Sequence, residues 1–180
     1  MGNVDALSLG PGTLKTAVSG TPEPASLTAP WDGGWIDLGY TFEGHSFTFN
    51  TETEEVEVAE ELLPVAEVDV KQVGGVNFTS AEVTAFHLYL AQNGGTILTP
   101  SGYVTFEPPL PGQTLTRMYA WQSTDATERV VWRKCRNTGD MEMARRKGGN
   151  KTGIPFSLKL LSPGSGIAPW KWWGSTPARV

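Results

Sequence analysis

The residues with the clearest chemical potential are carboxylates concentrated between positions 52 and 69. Paired Asp and Glu side chains serve as acid, base or nucleophile in glycoside hydrolysis, and the set comprises Glu52, Glu54, Glu55, Glu57, Glu67 and Asp69. They alternate with valines, which places Val56 and Val58 on one face of a strand and the intervening glutamates on the other. Since no His, Tyr or Arg lies close by, the pattern predicts an acidic strand face and no catalytic pair.

The other reactive residue types are scarce. The chain has two histidines, His45 and His87, and one cysteine, Cys135. No His-x-x-x-His pair, P-loop, dinucleotide fingerprint or EF-hand loop is present. We expect a surface-turn position for His45, a hydrogen-bonded, partly buried one for His87 and a buried strand position for Cys135. The sequence therefore predicts no catalytic residues, no metal and no cofactor, and the chain is not expected to be an enzyme.

Charge is segregated along the chain. Residues 1–110 hold fifteen Asp or Glu and two Lys, whereas residues 111–180 hold four Asp or Glu and twelve Lys or Arg. The candidate basic interface comprises Arg129, Arg133, Lys134, Arg136, Arg145, Arg146 and Lys147. Such segregation indicates either two solvated faces or an acidic face of one copy that binds the basic face of the next. An overall pI near 5.0 argues against direct nucleic-acid binding.

Three tryptophans near the end of the chain form a further candidate site. Trp170, Trp172 and Trp173 lie in a Gly- and Pro-rich segment. Exposed indoles form sugar-stacking platforms, but dense tryptophan at a terminus more often docks on a neighbour or covers an apolar edge. We therefore treat these residues as candidates for docking on a neighbouring subunit.

The elements that must position these residues are mostly short strands. Alternation predicts strands near residues 46–50 (with Phe47 and Phe49 inward), 54–58, 66–73, 103–106, 114–122, 128–136 and 155–161, and a further one at 140–147. A hairpin is expected over 4–18. Residues 19–34 read as an extended Pro-rich loop, with a tight turn at 31–35. Residues 80–92 predict one short helix, with Ser80 as N-cap and Asn93-Gly94 as its stop.

These elements predict a mainly β fold. With 180 residues, 21 glycines and 13 prolines, we expect an antiparallel β-sandwich or partly closed barrel with one flanking α-helix. The predicted boundaries are a domain at 1–162 and a C-terminal extension at 163–180. Because no signal peptide or membrane span is visible, we expect a soluble protein made in a cytoplasm.

An ordered set of motifs resembles one protein family. The motifs are WIDLGY at 35–40, ETEEV at 52–56, YAWQ at 119–122, VWRK at 131–134, GD at 139–140 and IPFSL at 154–158. In this order, after a Pro-rich segment, they resemble the major tail tube protein of long non-contractile-tailed bacteriophages, particularly the actinobacteriophage kind. The resemblance covers residues 1–162.

This resemblance implies a structural protein of the virion. Family members are β-sandwiches that share strands in a ring-shaped β-barrel; their hexameric rings stack into a hollow tube around a tape-measure protein, and the tube conducts DNA into the host. The partners implied are further copies, the tape-measure protein, and terminator or distal-tail proteins, with assembly in the host cytoplasm. We expect strands 46–58 and 66–73 to help form the barrel, with their acidic side chains facing the lumen or the subunit seams, and strands 115–122 and 128–136 are rival barrel strands. Alternative functions are a tail terminator or distal-tail protein and a monomeric glycan-binding module.

Overall fold

Ten strands and one short helix make up the described part of the chain. The computed structural model describes residues 10–56, 63–143 and 152–174. The elements are β1 (Gly12–Val18), β2 (Ile36–Asp37), β3 (Thr41–Val56), β4 (Ala66–Ser80), α1 (Ala85–Ala91), β5 (Thr96–Leu98), β6 (Thr105–Glu107), β7 (Arg117–Ser123), β8 (Glu128–Asn137), β9 (Ile154–Leu160) and β10 (Trp170–Gly174). The mainly β prediction with one short helix is confirmed.

Eight of the strands form one antiparallel sheet. Its order is β2-β1-β7-β8-β9-β4-β3, and β5 and β6 form a separate hairpin. Strand β10 also pairs with β8, over Glu128–Trp132, whereas β9 pairs with β8 at Cys135–Asn137. On the side of β8 away from β7, the first half of the strand therefore pairs with β10 and its end pairs with β9.

The sheet curls so that its far strand packs back over its middle. The ring of Phe47 on β3 lies 5.6 Å from that of Trp132 on β8, although two strands separate them in the sheet order. The main core lies between these layers and includes Val76, Phe156 and Leu158. The layers are consistent with a sandwich. Among the described strands no closed barrel forms, because β2 and β3 at the two ends of the order do not pair.

A second apolar cluster lies on the outer face of β7 and β8. It comprises Ala17, Trp35, Met118, Ala120 and Val131, with Trp31 and Trp173 packed against it. The turn predicted at 31–35 is present, and the amide of Trp35 donates to the carbonyl of Asp32 over 3.0 Å. The Pro-rich loop thus covers part of the sheet with its two indoles.

Several local expectations require correction. The helix begins after Thr84, not Ser80, because the Thr84 hydroxyl accepts the amide of His87 while Ser80 is still paired in β4. Its predicted stop is confirmed, with Asn93 in the left-handed region at φ 56°. Residues 140–143 form no strand, and 144–147 lie outside the described residues, as do residues 4–9 of the predicted hairpin.

Candidate assembly surfaces

The acidic candidates lie on an uncovered two-stranded extension of the sheet. We call residues 50–56 of β3 and 66–72 of β4 the arm. All of these residues are exposed, whereas the rest of β3 includes half-buried positions and the rest of β4 includes buried ones. Among the described strands, β4 alone pairs with β3, so the arm is a hairpin whose described residues are exposed on both faces.

The register of the arm separates two different faces. Glu55 lies directly opposite Glu67, and Thr53 lies opposite Asp69. Because side chains alternate along a strand, these four residues share one face. The Thr53 hydroxyl donates to a carboxylate oxygen of Glu67 over 2.5 Å. This acidic face therefore carries three carboxylates.

The opposite face of the arm is largely aliphatic. Val56 lies opposite Ala66, and Glu54 lies opposite Val68. A register shift between Glu52 and Thr53 separates this region from the base of the arm, where Lys71 contacts Glu52 at 3.3 Å. Both partners of that ion pair are exposed, so it contributes little to stability. The structure thus brings five of the six acidic candidates into the arm, and Glu57 lies outside the described residues.

Two of the basic candidates are engaged within the chain. Arg129 is 4% exposed; its Nη1 donates to the carbonyls of Ser26 and Ala29, at 3.0 and 2.7 Å. Its guanidinium also lies 5.2 Å from the ring centre of Trp31, a cation–π distance. Burial lowers the pKa of Arg129. This side chain fastens the Pro-rich loop to β8.

Arg133 fastens two segments at once. Its Nε and Nη2 donate to the carboxylate of Glu23 at 2.5 and 3.0 Å, and its Nη1 donates to the carbonyl of Ala168 at 2.7 Å. Hydrogen bonding to the Glu23 carboxylate raises the pKa of Arg133. The bidentate pair joins the Pro-rich loop to β8, and the third bond joins the segment that leads into β10.

The remaining described basic candidates point away from the core. Arg136 is exposed between buried Cys135 and Asn137, and Lys134 is half-buried. Arg136 lies directly opposite Lys159, which is exposed between buried Leu158 and Leu160. Within the described ranges, neither Arg136 nor Lys159 has a salt-bridge partner. Arg145, Arg146 and Lys147 lie outside those ranges.

Lys159 and Glu23 were not singled out from the sequence. A signal for Lys159 was present, because it alternates with the inward leucines of a predicted strand. Glu23 carried no such signal, since it lies 110 positions before Arg133 in a loop.

The tryptophans near the C-terminus form a strand against their own chain. Trp170 packs on Phe47 and Phe49, with ring centres 5.3 and 6.0 Å away. Trp172 is 48% exposed and its indole N–H donates to Glu128 over 2.6 Å. Trp173 packs on the second apolar cluster. Trp173 projects from the face of β10 opposite to that of Trp170 and Trp172. The three indoles therefore do not share one flat platform.

The histidines and the cysteine occupy structural positions. His87 contacts the Thr84 hydroxyl through Nδ1 at 2.8 Å and the Leu38 carbonyl through Nε2 at 3.0 Å. His45 is half-buried and packs on Trp121 and Trp132 instead of lying in an open turn, and burial lowers its pKa.

Burial also governs the thiol. It raises the pKa of Cys135 to about 12, so the thiol is inert at neutral pH. In the part of the chain that the structure describes, no group of three His, Cys, Asp or Glu residues could hold a metal ion. No described helix has the length and apolar character needed to cross a bilayer.

Comparison with known families gives one decisive match. The family described as phage tail tube protein matches residues 3–172. The chain belongs to this family. The family match extends past residue 162 and includes the first three residues of β10. Among curated proteins, no significant match is found. As a tail tube protein, the chain is a structural component of a phage virion, and membership implies self-assembly into the tail alongside other tail proteins.

Proposed function

We propose that this tail tube protein assembles into hexameric rings that stack into a hollow tube and conduct DNA into the host. Assembly would occur in the host cytoplasm, with the tape-measure protein and the terminator or distal-tail proteins as partners. No catalytic role is proposed. Family membership supports the structural class, and the arm is the observation that supports self-association of this chain.

The arm supports self-association because it is an incomplete structure in one copy. A two-stranded hairpin with no covering layer is marginally stable in water. The arm and the segment that leads into it expose Val56, Leu63, Val65, Val68 and Val70, each by 41–77%. The register places Val56 and Val68 on the aliphatic face of the arm, and exposed apolar patches of this kind mark protein interfaces. In the proposed tube, a neighbouring subunit covers the aliphatic face.

The sheet also offers edges for strand sharing between subunits. Within the described sheet, β3 pairs only with β4 and β10 pairs only with β8. Open edges present unpaired backbone groups, and pairing with a neighbour removes them. We propose that such pairing builds the ring-shaped barrel, with the arm at the lumen or at a subunit seam. Acidic residues at the lumen would repel DNA phosphates and let the nucleic acid pass.

The C-terminal segment has a second role in this proposal. We assign residues 1–162 to the tube domain and 163–180 to an extension whose first strand covers the edge of β8. The exposed side of Trp172 leaves a surface on which a neighbouring subunit would dock. Among the basic candidates, Lys134 and Arg136 remain open for contacts between subunits, since Arg129 and Arg133 hold the Pro-rich loop.

Electron microscopy of the purified protein, together with sedimentation, tests the proposal. We expect hollow tubes or stacked rings for the natural chain, and loss of both in the double variant V68S/V70S. The matched control is V18S/V104S, which removes the same aliphatic groups at exposed positions outside the arm. Closed single rings that never stack would favour a terminator or distal-tail protein. A monomer with glycan-dependent tryptophan fluorescence would favour the binding module.

A further inference from the structure

Two like-charge pairs of opposite sign stand on paired strands of this chain. Glu55 lies opposite Glu67 in the arm, and Arg136 lies opposite Lys159 across β8 and β9. All four residues are exposed. Like charges directly opposite each other on neighbouring strands are destabilising. Each pair is therefore unfavourable by itself and complementary to the other.

The two pairs are too far apart to neutralise each other within one copy. Lys159 lies opposite Gly75 of β4, and Glu67 lies eight positions before Gly75 on that strand. At about 3.3 Å per residue, the separation along β4 is roughly 26 Å. Screening at physiological ionic strength acts over about 8 Å. The Arg136–Lys159 pair therefore does not neutralise the arm of its own copy, but it could neutralise the arm of a second copy.

The geometry points to a contact in which the acidic face of the arm binds the Arg136–Lys159 pair of a second copy. This inference rests on the proposed self-assembly and names the surface that the arm occupies. Two different patches meet, so the contact is heterologous and extends head to tail into rings or filaments. It also assigns Glu55 and Glu67 to a subunit seam, whereas a lumen position would leave them facing passing DNA.

The two faces of the arm then serve two neighbours. One copy covers the aliphatic face around Val68, and another provides the basic pair for the acidic face. An arm held between two neighbours places both contacts on one hairpin. Because charged contacts weaken with salt and apolar ones do not, raising the ionic strength would loosen only one of them.

Charge reversal in full-length protein tests the contact. The first variant, E55K/E67K, has a basic arm and keeps the basic Arg136–Lys159 pair. The second variant, R136E/K159E, keeps the acidic arm and has acidic side chains at positions 136 and 159. We expect each variant alone to need at least about tenfold more protein to assemble than the natural chain, because like charges meet at the contact. Mixed in equal amounts, the two should co-assemble, since every arm then finds an opposite patch.

Controls separate this contact from folding and from the proposed function. E43K/E107K changes exposed carboxylates outside the arm by the same charge and should assemble like the natural chain. Circular dichroism and thermal melting check the fold, and the milder E55Q/E67Q and R136Q/K159Q replace any variant that fails to fold. Normal assembly of both reversed variants, or no rescue on mixing, would overturn the contact and leave the proposed function standing. Failure of the natural chain to self-associate would overturn the proposed function itself.

Discussion

The arm and the outer face of β8 begin from the same kind of sequence and end in opposite states. Both are strands that carry several charged side chains. The arm is uncovered on both faces, whereas the first half of β8 is covered by the Pro-rich loop and flanked by β10. The difference lies in which other segments of the chain pack against each strand and not in the composition of the strands.

The comparison shows why charge patterning alone does not locate an interface. Arg129 and Arg136 are seven positions apart in one strand and look alike in the sequence. Arg129 is enclosed by carbonyl groups and an indole, whereas Arg136 is exposed beside Lys159 and has no ion-pair partner among the described residues. Free charges are available to a neighbouring copy, but charges with partners are already used in holding the subunit together.

Truncation to alanine in the core and in the arm should give the largest difference in unfolding free energy. Phe156 is 2% exposed and stacks on Phe78 at 4.7 Å, so Phe156→Ala should cost the monomer about 3–5 kcal/mol of unfolding free energy. Val68→Ala removes no buried contact and should stay within about 0.5 kcal/mol. Urea unfolding of monomeric protein measures both changes. A comparable loss at Val68 would mean that the arm is covered within one copy.

The two arginines of β8 offer a finer contrast. Arg129→Ala leaves the carbonyls of Ser26 and Ala29 without their cationic donor and should cost about 2 kcal/mol. Arg136→Ala has no such partner to lose among the described residues and should change monomer stability by less than about 0.5 kcal/mol. Limited proteolysis within residues 19–34 should accelerate for the first variant alone. Equal proteolysis of the two variants would contradict the assignment of Arg129 as the fastener of the loop.

Much of the sheet could be predicted because its strands carry local patterns. Phe156, Leu158 and Leu160 alternate and are all buried, as expected for one face of a strand. Phe47 and Phe49 face the core as predicted. Strand β10 could not be predicted this way, because its tryptophans follow a Gly- and Pro-rich stretch and only pairing with β8 makes them a strand. No residue pattern within 162–174 predicts that pairing.

The candidate surfaces were predictable in composition but not in geometry. The alternation of acids with valines indicated an acidic strand face, and the arm has one. That Glu55 stands opposite Glu67 depends on the register between two strands, which a shift near Glu52 alters. The use of Arg133 depends on Glu23 and Ala168, far away in the sequence at 110 and 35 positions. Contacts of this range are properties of the fold.

His45 gives the smallest effect and lies in β3 five positions before the arm begins. It packs on Trp121 and Trp132, and burial lowers its pKa below the usual 6.5, with Glu128 acting weakly in the other direction. The unfolded chain therefore binds the proton more readily. Its contribution to stability is complete above pH 6.5 and is lost as the pH falls towards the pKa of the folded state.

The pH dependence of unfolding should therefore report the burial of His45. We expect the natural chain to lose more unfolding free energy between pH 7.5 and 5.5 than His45→Gln, which cannot be protonated. If His45→Gln kept the same slope, the imidazole would be equally accessible in both states. In that case β3 would leave the core before position 45, and the uncovered arm would begin earlier in β3 than residue 50.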